Sequence, residues 1–180
     1  MFWRKLFAKK SASANEYTCS TCGSEHEGLP AIGFDAPMFY ATLSDTDKME
    51  LAECSEDFCV IEHPEQTDRF IRACLDLPIH NTCDVLSYGV WVSLSQTSFE
   101  SYEKTFRKEA SSENYFGRLS NWIGSYESST VGLHMNVVTR GDDQRPLLQP
   151  YESEHALVRE WVDGITLDEA RRRVVLASKA

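Results

Sequence analysis

The spacing of apolar residues changes abruptly at Ser95. Before it, Tyr88, Val90, Val92 and Leu94 alternate with Gly89, Trp91 and Ser93, a period of two that belongs to a central strand. After it, Phe99, Tyr102 and Phe106 recur at helical spacing, and Thr97 followed by Glu100 matches a capping box, in which each side chain satisfies an orphan backbone donor. This predicts a helix near residues 98–110. A strand and a helix set end to end need a shared core, and a chain of 180 residues can supply one, burying roughly 70% of its unfolded surface.

The same reasoning places the other elements. Residues 58–61 read as a short buried strand, and residues 70–79 as a strand or short helix that Pro78 ends in either case. Residues 131–139 alternate again, with Val131, Leu133, Met135 and Val137 on one face and His134 and Asn136 on the other, up to a turn at Gly141, Asp142 and Asp143. Ala156, Leu157, Glu160 and Trp161 fit a short amphipathic helix closed by Gly164, and Thr166 with Glu169 starts a second helix toward Ser178, with Arg171, Arg172 and Arg173 facing water. The expected class is α+β: a mainly antiparallel sheet with one inserted helix, two C-terminal helices and an N-terminal zinc-knuckle-like loop over residues 17–30. Residues 1–15 read as a basic tail and residues 16–180 as a single domain.

Charge narrows the partners. The net charge is −10, and Arg4, Lys5, Lys9 and Lys10 are the only charged residues in the first ten positions, so the remaining chain carries 18 − 4 = 14 basic against 28 acidic residues, or −14. Such a surface repels phosphate backbones, so nucleic acid is not an expected partner, whereas a basic protein would be attracted. Residues 1–10 hold Phe2, Trp3, Leu6 and Phe7 among the basic residues, a pattern able to touch an anionic membrane, but one short segment binds weakly. No secretory signal or membrane-length apolar run is evident, so a reducing, cytoplasmic setting is expected.

Six cysteines occur, at 19, 22, 54, 59, 74 and 83. The most informative group is Cys19-Ser-Thr-Cys22-Gly23 with His26 nearby. Two thiolates spaced this way can grip one zinc ion across a tight turn, and glycine after the second lets backbone amides point at sulfur. Cys19, Cys22 and His26 are therefore candidate ligands of a structural zinc, one short of the usual four. A redox dithiol is the weaker reading, because Gly23, Gly28 and Pro30 follow the pair where thioredoxin-type chemistry needs a helix N-terminus. Unliganded thiols are the third reading.

Further residues extend the pattern: Leu29-Pro30, Asp57-Phe-Cys59-Val-Ile, Phe70-Ile-Arg72, Leu77-Pro78-Ile79, Gly89-Val-Trp91-Val-Ser93-Leu-Ser95, Arg145-Pro146 and Gly164-Ile-Thr166. Taken in order with the cysteine knuckle, these resemble the bacterial domain of unknown function 2199 over residues 17–166. The resemblance implies no activity. In that family a His-Pro-Leu follows the Arg-Pro segment, and this chain has His155-Ala156-Leu157 there. The resemblance thus implies His155 as a candidate fourth zinc ligand, with Cys59 as its rival.

Two functions follow. The first is a non-enzymatic protein-interaction module, immunity- or antitoxin-like, that meets a basic partner through its acidic body. The alternative is a metal-dependent hydrolase in which Cys19, Cys22 and His26 leave one zinc position open for water, with Glu25 or Glu27 as the nearest base. Phosphate-cradle and nucleophile-elbow motifs do not occur in the sequence.

Overall fold

The computed structural model describes residues 16–18, 25–106 and 113–179. Its elements, in chain order, are β1 (Glu16–Thr18), β2 (Glu25–Glu27), β3 (Ile32–Gly33), α1 (Met38–Ala41), α2 (Asp45–Leu51), β4 (Ala52–Cys54), β5 (Phe58–Glu62), β6 (Thr67–Pro78), β7 (Val85–Leu94), α3 (Gln96–Thr105), β8 (Asn114–Leu119), β9 (His134–Val138), β10 (Leu147–Pro150), α4 (Ala156–Asp163) and α5 (Leu167–Ala177). The α+β class expected from the sequence stands. No helix among the described residues is long and apolar enough to cross a membrane.

Five strands, β6 to β10, close into a barrel. Each pairs antiparallel with the next in the chain, and β10 then returns to β6 through Leu147 opposite Cys74 and the Cys74 N–H to Pro146 carbonyl bond of 2.8 Å. Neighbours in such a meander reverse direction, so the fifth strand runs the same way as the first, and closure has to be parallel. Closure removes the exposed edges that an open sheet would leave at β6 and β10. Three strands extend outward from it: β5 and β4 beyond β6, and β3 beside β7.

The barrel interior takes the inward residues that alternation predicts: Ile71, Ala73, Leu75 and Leu77 of β6, Leu86, Tyr88, Val90 and Val92 of β7, and Met135 and Val137 of β9. Phe99, Tyr102 and Phe106 of the inserted helix join the same core, and Phe58 meets Phe99 and Phe106 edge-on at 5.8 and 5.4 Å between ring centroids. Trp91, on the other face of β7, is equally buried, because a second cluster of Cys59, Ile61 and Phe70 lies over the outside of the sheet, packed against Tyr40, Leu43 and Leu51. The Trp91 ring N–H donates to the Phe34 carbonyl at 3.0 Å.

Several expectations are corrected. The inserted helix begins earlier, at Gln96, and its cap is Ser95, whose hydroxyl accepts from Ser98 N–H, so Thr97 lies inside the first turn. The strand expected over residues 131–139 shortens to β9, since Gly132 at φ +89 turns the chain first. The 17–30 segment contains the antiparallel pair β1 and β2 where only a loop was expected. Arg173 does not face water: it is 3% exposed. Two predicted signals hold at the C-terminal end. Gly164 closes α4 at φ +84, where a Cβ would meet the Pro78 carbonyl at 3.0 Å, and the Thr166 hydroxyl caps α5 by accepting from Glu169 N–H.

Candidate functional site

Cys19, Cys22 and Gly23 lie outside the described residues. Their flanks are described: Tyr17 pairs with His26 and Thr18 with Glu25 in an antiparallel ladder. Cys59 is fully buried in β5, and His155 sits at the start of α4. There the His155 Nδ1 accepts from Leu157 N–H at 3.0 Å, and its Nε2 lies 3.3 Å from the Ser128 carbonyl. A neutral ring that accepts at Nδ1 carries its proton at Nε2 and donates to that carbonyl, so both nitrogens are engaged. Among the described residues, no group of three or more His, Cys, Asp or Glu is arranged to hold a metal ion.

The barrel's outer surface carries an aromatic group from three strand regions. In β8 Gly117 and Leu119 are buried on the inner face, whereas Phe116 and Arg118 are exposed on the outer one. Gly117 is required, because a Cβ there would meet Val92 Cγ2 at 2.6 Å and the Ser93 carbonyl at 2.8 Å. Phe116 is 48% exposed and meets the ring of His134 on β9 at 5.1 Å and that of Tyr151, just past β10, at 5.9 Å. Asn136 and Gln149 continue this face with a 3.0 Å side-chain hydrogen bond. The exposed Glu152 and Glu154 follow Tyr151, while Arg118 stands opposite His134. The arrangement offers ring faces to a partner and contains no acid–base pair of its own.

A polar row crosses the outer face of β6. Arg72 lies against the glycines Gly33 and Gly89, which leave room for its guanidinium. Arg140 donates to the Arg145 carbonyl at 2.7 Å and approaches the Cys74 sulfur at 3.8 Å, and Arg145 pairs with Asp57 at 2.7 Å and Glu56 at 2.8 Å. Burial pushes the Cys74 thiol up, although Arg140 and Arg145 pull the other way. Cys74 is thus held as a thiol rather than an activated nucleophile. The buried Arg72 Nε and Asp76 Oδ1 have no hydrogen-bond partner among the described residues.

A family model described as an uncharacterized protein conserved in bacteria, DUF2199, matches residues 18–165. The chain belongs to the DUF2199 family. No curated protein and no solved structure matches it.

The DUF2199 match runs from the end of β1 to the loop before α5 and takes in the whole barrel, the outer aromatic face and α4. Arg173, on α5, lies past its end. Sequence reasoning missed Arg173, which anchors α5 to α4 and the loop before β9 through Glu160, Glu169 and Tyr126. A run of three arginines gives no sign that one is inward; only the helical phase shared with the buried Ala170 separates Arg173 from its neighbours.

Proposed function

We propose that this DUF2199 domain is a protein-interaction module of the immunity- or antitoxin-like kind, acting in a reducing cytoplasm, and that it receives a basic protein on the outer face of its barrel. The carrying observation is the exposed ring group of Phe116, His134 and Tyr151. Aromatic faces supply rigid apolar contact area and attract cationic side chains. The acidic body around them steers a basic partner and rejects nucleic acid. The test is a photo-crosslinking amino acid placed at 116 or 151, with position 49, where Met49 is 80% exposed, as the control. A basic protein captured in cells from 116 and 151 but not from 49 supports the reading; equal capture from all three positions rejects it.

We also propose that the N-terminal β1–β2 region holds a structural zinc through Cys19, Cys22 and His26. This rests on the Cys-x-x-Cys-Gly spacing and on the antiparallel pairing of β1 with β2, the strands that flank that segment in the sequence. His155 and Cys59 compete for the fourth place, and His155 would have to give up its cap on Leu157 to take it. Metal analysis of protein purified without chelators is expected to find about one zinc per chain, lost together with stability in Cys19→Ser. Comparison of His155→Ala with Cys59→Ser identifies the fourth donor. A zinc bound with an exchangeable water would instead favour the hydrolase.

A further inference from the structure

The hairpin of β4 and β5 turns through Glu56 and Asp57. Ser55 N–H donates to the Phe58 carbonyl at 2.7 Å, and the Ser55 hydroxyl adds bonds of 3.1 and 3.0 Å to the Phe58 N–H and carbonyl. Ser55 and Phe58 therefore close the turn as a hydrogen-bonded pair. Antiparallel ladders alternate, so the next pair, Cys54 opposite Cys59, falls where facing residues exchange no backbone bonds. At such positions the Cα atoms stand about 4.5 Å apart and the side chains lie close. That separation is within the window a disulfide spans without backbone movement.

Cys54 stands directly opposite Cys59 across the ladder and packs against the buried cluster that contains it. They differ in access: Cys59 is fully buried in one cluster with Phe70 and Trp91, whereas Cys54 on β4 is partly exposed. We propose that Cys54 and Cys59 form a reversible redox pair, in which Cys54 receives a small disulfide oxidant and Cys59 resolves it to an intrachain cross-strand disulfide.

The chemistry balances with a low-molecular-weight disulfide, RSSR, as oxidant. The Cys54 thiolate attacks one sulfur of RSSR, forming a mixed disulfide and expelling RS⁻. The Cys59 thiolate then attacks the Cys54 sulfur, breaking its bond to SR and expelling the second RS⁻. The two protein thiols lose two electrons between them, their protons end on the two RSH produced, and a dithiol reductant reverses the sequence. The thiolate is the attacking species in both steps. The disulfide would also tie down the turn that holds Arg145 through Glu56 and Asp57.

The test uses the full chain incubated with oxidised glutathione across a pH series, with remaining thiols alkylated under denaturing conditions and the tryptic peptides weighed. One peptide, from Met49 to Arg69, contains both cysteines. It is expected unalkylated and about 2 Da lighter than its dithiol form, with full reversal by dithiothreitol. In Cys59→Ser, Cys54 is expected to stop at a stable glutathione adduct; if that variant does not fold, the transient adduct on the wild type reports the same step. The exposed Cys83 shows that the oxidant was active. The proposal is overturned if Cys54 and Cys59 stay alkylatable after Cys83 has reacted, if the wild type accumulates only the mixed disulfide, or if bound zinc lost in Cys59→Ser is what shields the pair.

Discussion

Arg173 on α5 and Glu160 on α4 form a two-pronged ion pair, with Nη1 to Oε2 and Nη2 to Oε1 both at 2.9 Å. Arg173 is buried, and two further donors go to Glu169 at 2.7 Å and to the Tyr126 hydroxyl at 3.0 Å. Tyr126 in turn donates to Glu160 at 2.6 Å. The network ties both C-terminal helices to the loop before β9. Removing one partner strands the others in a low-dielectric site. Arg173→Leu is expected to cost about 3–5 kcal/mol by urea denaturation, and Arg173→Lys not to restore it, because an ammonium cannot replace the planar fork. Arg172→Ala, which removes only a solvent-exposed pair with Glu169, is expected to cost less than about 1 kcal/mol. Equal effects of Arg172→Ala and Arg173→Leu would contradict the network.

The network also sets an acid limit. Hydrogen bonds from Arg172, and then from Arg173, hold the Glu169 carboxyl down at about 2, against burial that pushes it up. A folded value below the unfolded one, about 4.3, stabilises the protein above that unfolded value and ceases to do so as the pH falls toward 2. Urea midpoints measured from pH 7 to pH 2.5 are therefore expected to fall for the wild type below about pH 5. Glu169→Gln is expected to be less stable at pH 7 by on the order of 2 kcal/mol, with a flatter acid limb. Parallel curves for the two proteins would exclude Glu169 from the acid response.

Gly117 and Gly124 make a matched pair. A Cβ at Gly117 strikes Val92 and the Ser93 carbonyl, whereas a Cβ at Gly124 meets nothing within 4 Å. Gly117→Ala is expected to destabilise by about 1–3 kcal/mol as β8 is pushed off β7. Gly124→Ala is expected to be neutral or slightly stabilising. Thermal denaturation of the two variants side by side reads the difference.

His155 separates a cap from a metal ligand. If its work is the bond from Leu157 N–H, His155→Ala costs about 1 kcal/mol and His155→Asn recovers most of it, since asparagine is a strong N-cap. Zinc content is unchanged in both. Loss of zinc in both variants would instead make His155 the fourth donor, at the expense of its cap. Metal analysis and thermal denaturation on the same samples distinguish the two.

Local features of the fold were legible in the sequence, and long-range ones were not. The alternation around Tyr88, the period change after Ser95, Gly164 as a helix stop and the Thr166 cap each depend on neighbours a few residues away. Barrel closure depends on Leu147 meeting Cys74, a contact between distant segments that leaves no periodic trace. The helices α1 and α2 were missed because neither buries a residue fully, so they carry little apolar pattern. The outer aromatic group was legible only in fragments: alternation places His134 outward, but nothing local brings Phe116 and Tyr151 beside it. For the proposed metal site, the sequence offers the Cys-x-x-Cys-Gly spacing and His26 as candidates, while the engagement of both His155 nitrogens became visible only in the fold.

Salt-titrated affinity capture tests the interaction reading most directly, with the wild-type domain beside a Phe116→Ser, Tyr151→Ser double variant of unchanged thermal stability. The expected result is one basic protein retained at about 1:1 on the wild type, released progressively as ionic strength rises, and absent from the double variant. Retention of that protein by the double variant, or retention indifferent to salt, would contradict the assignment of the barrel's outer face as the binding surface.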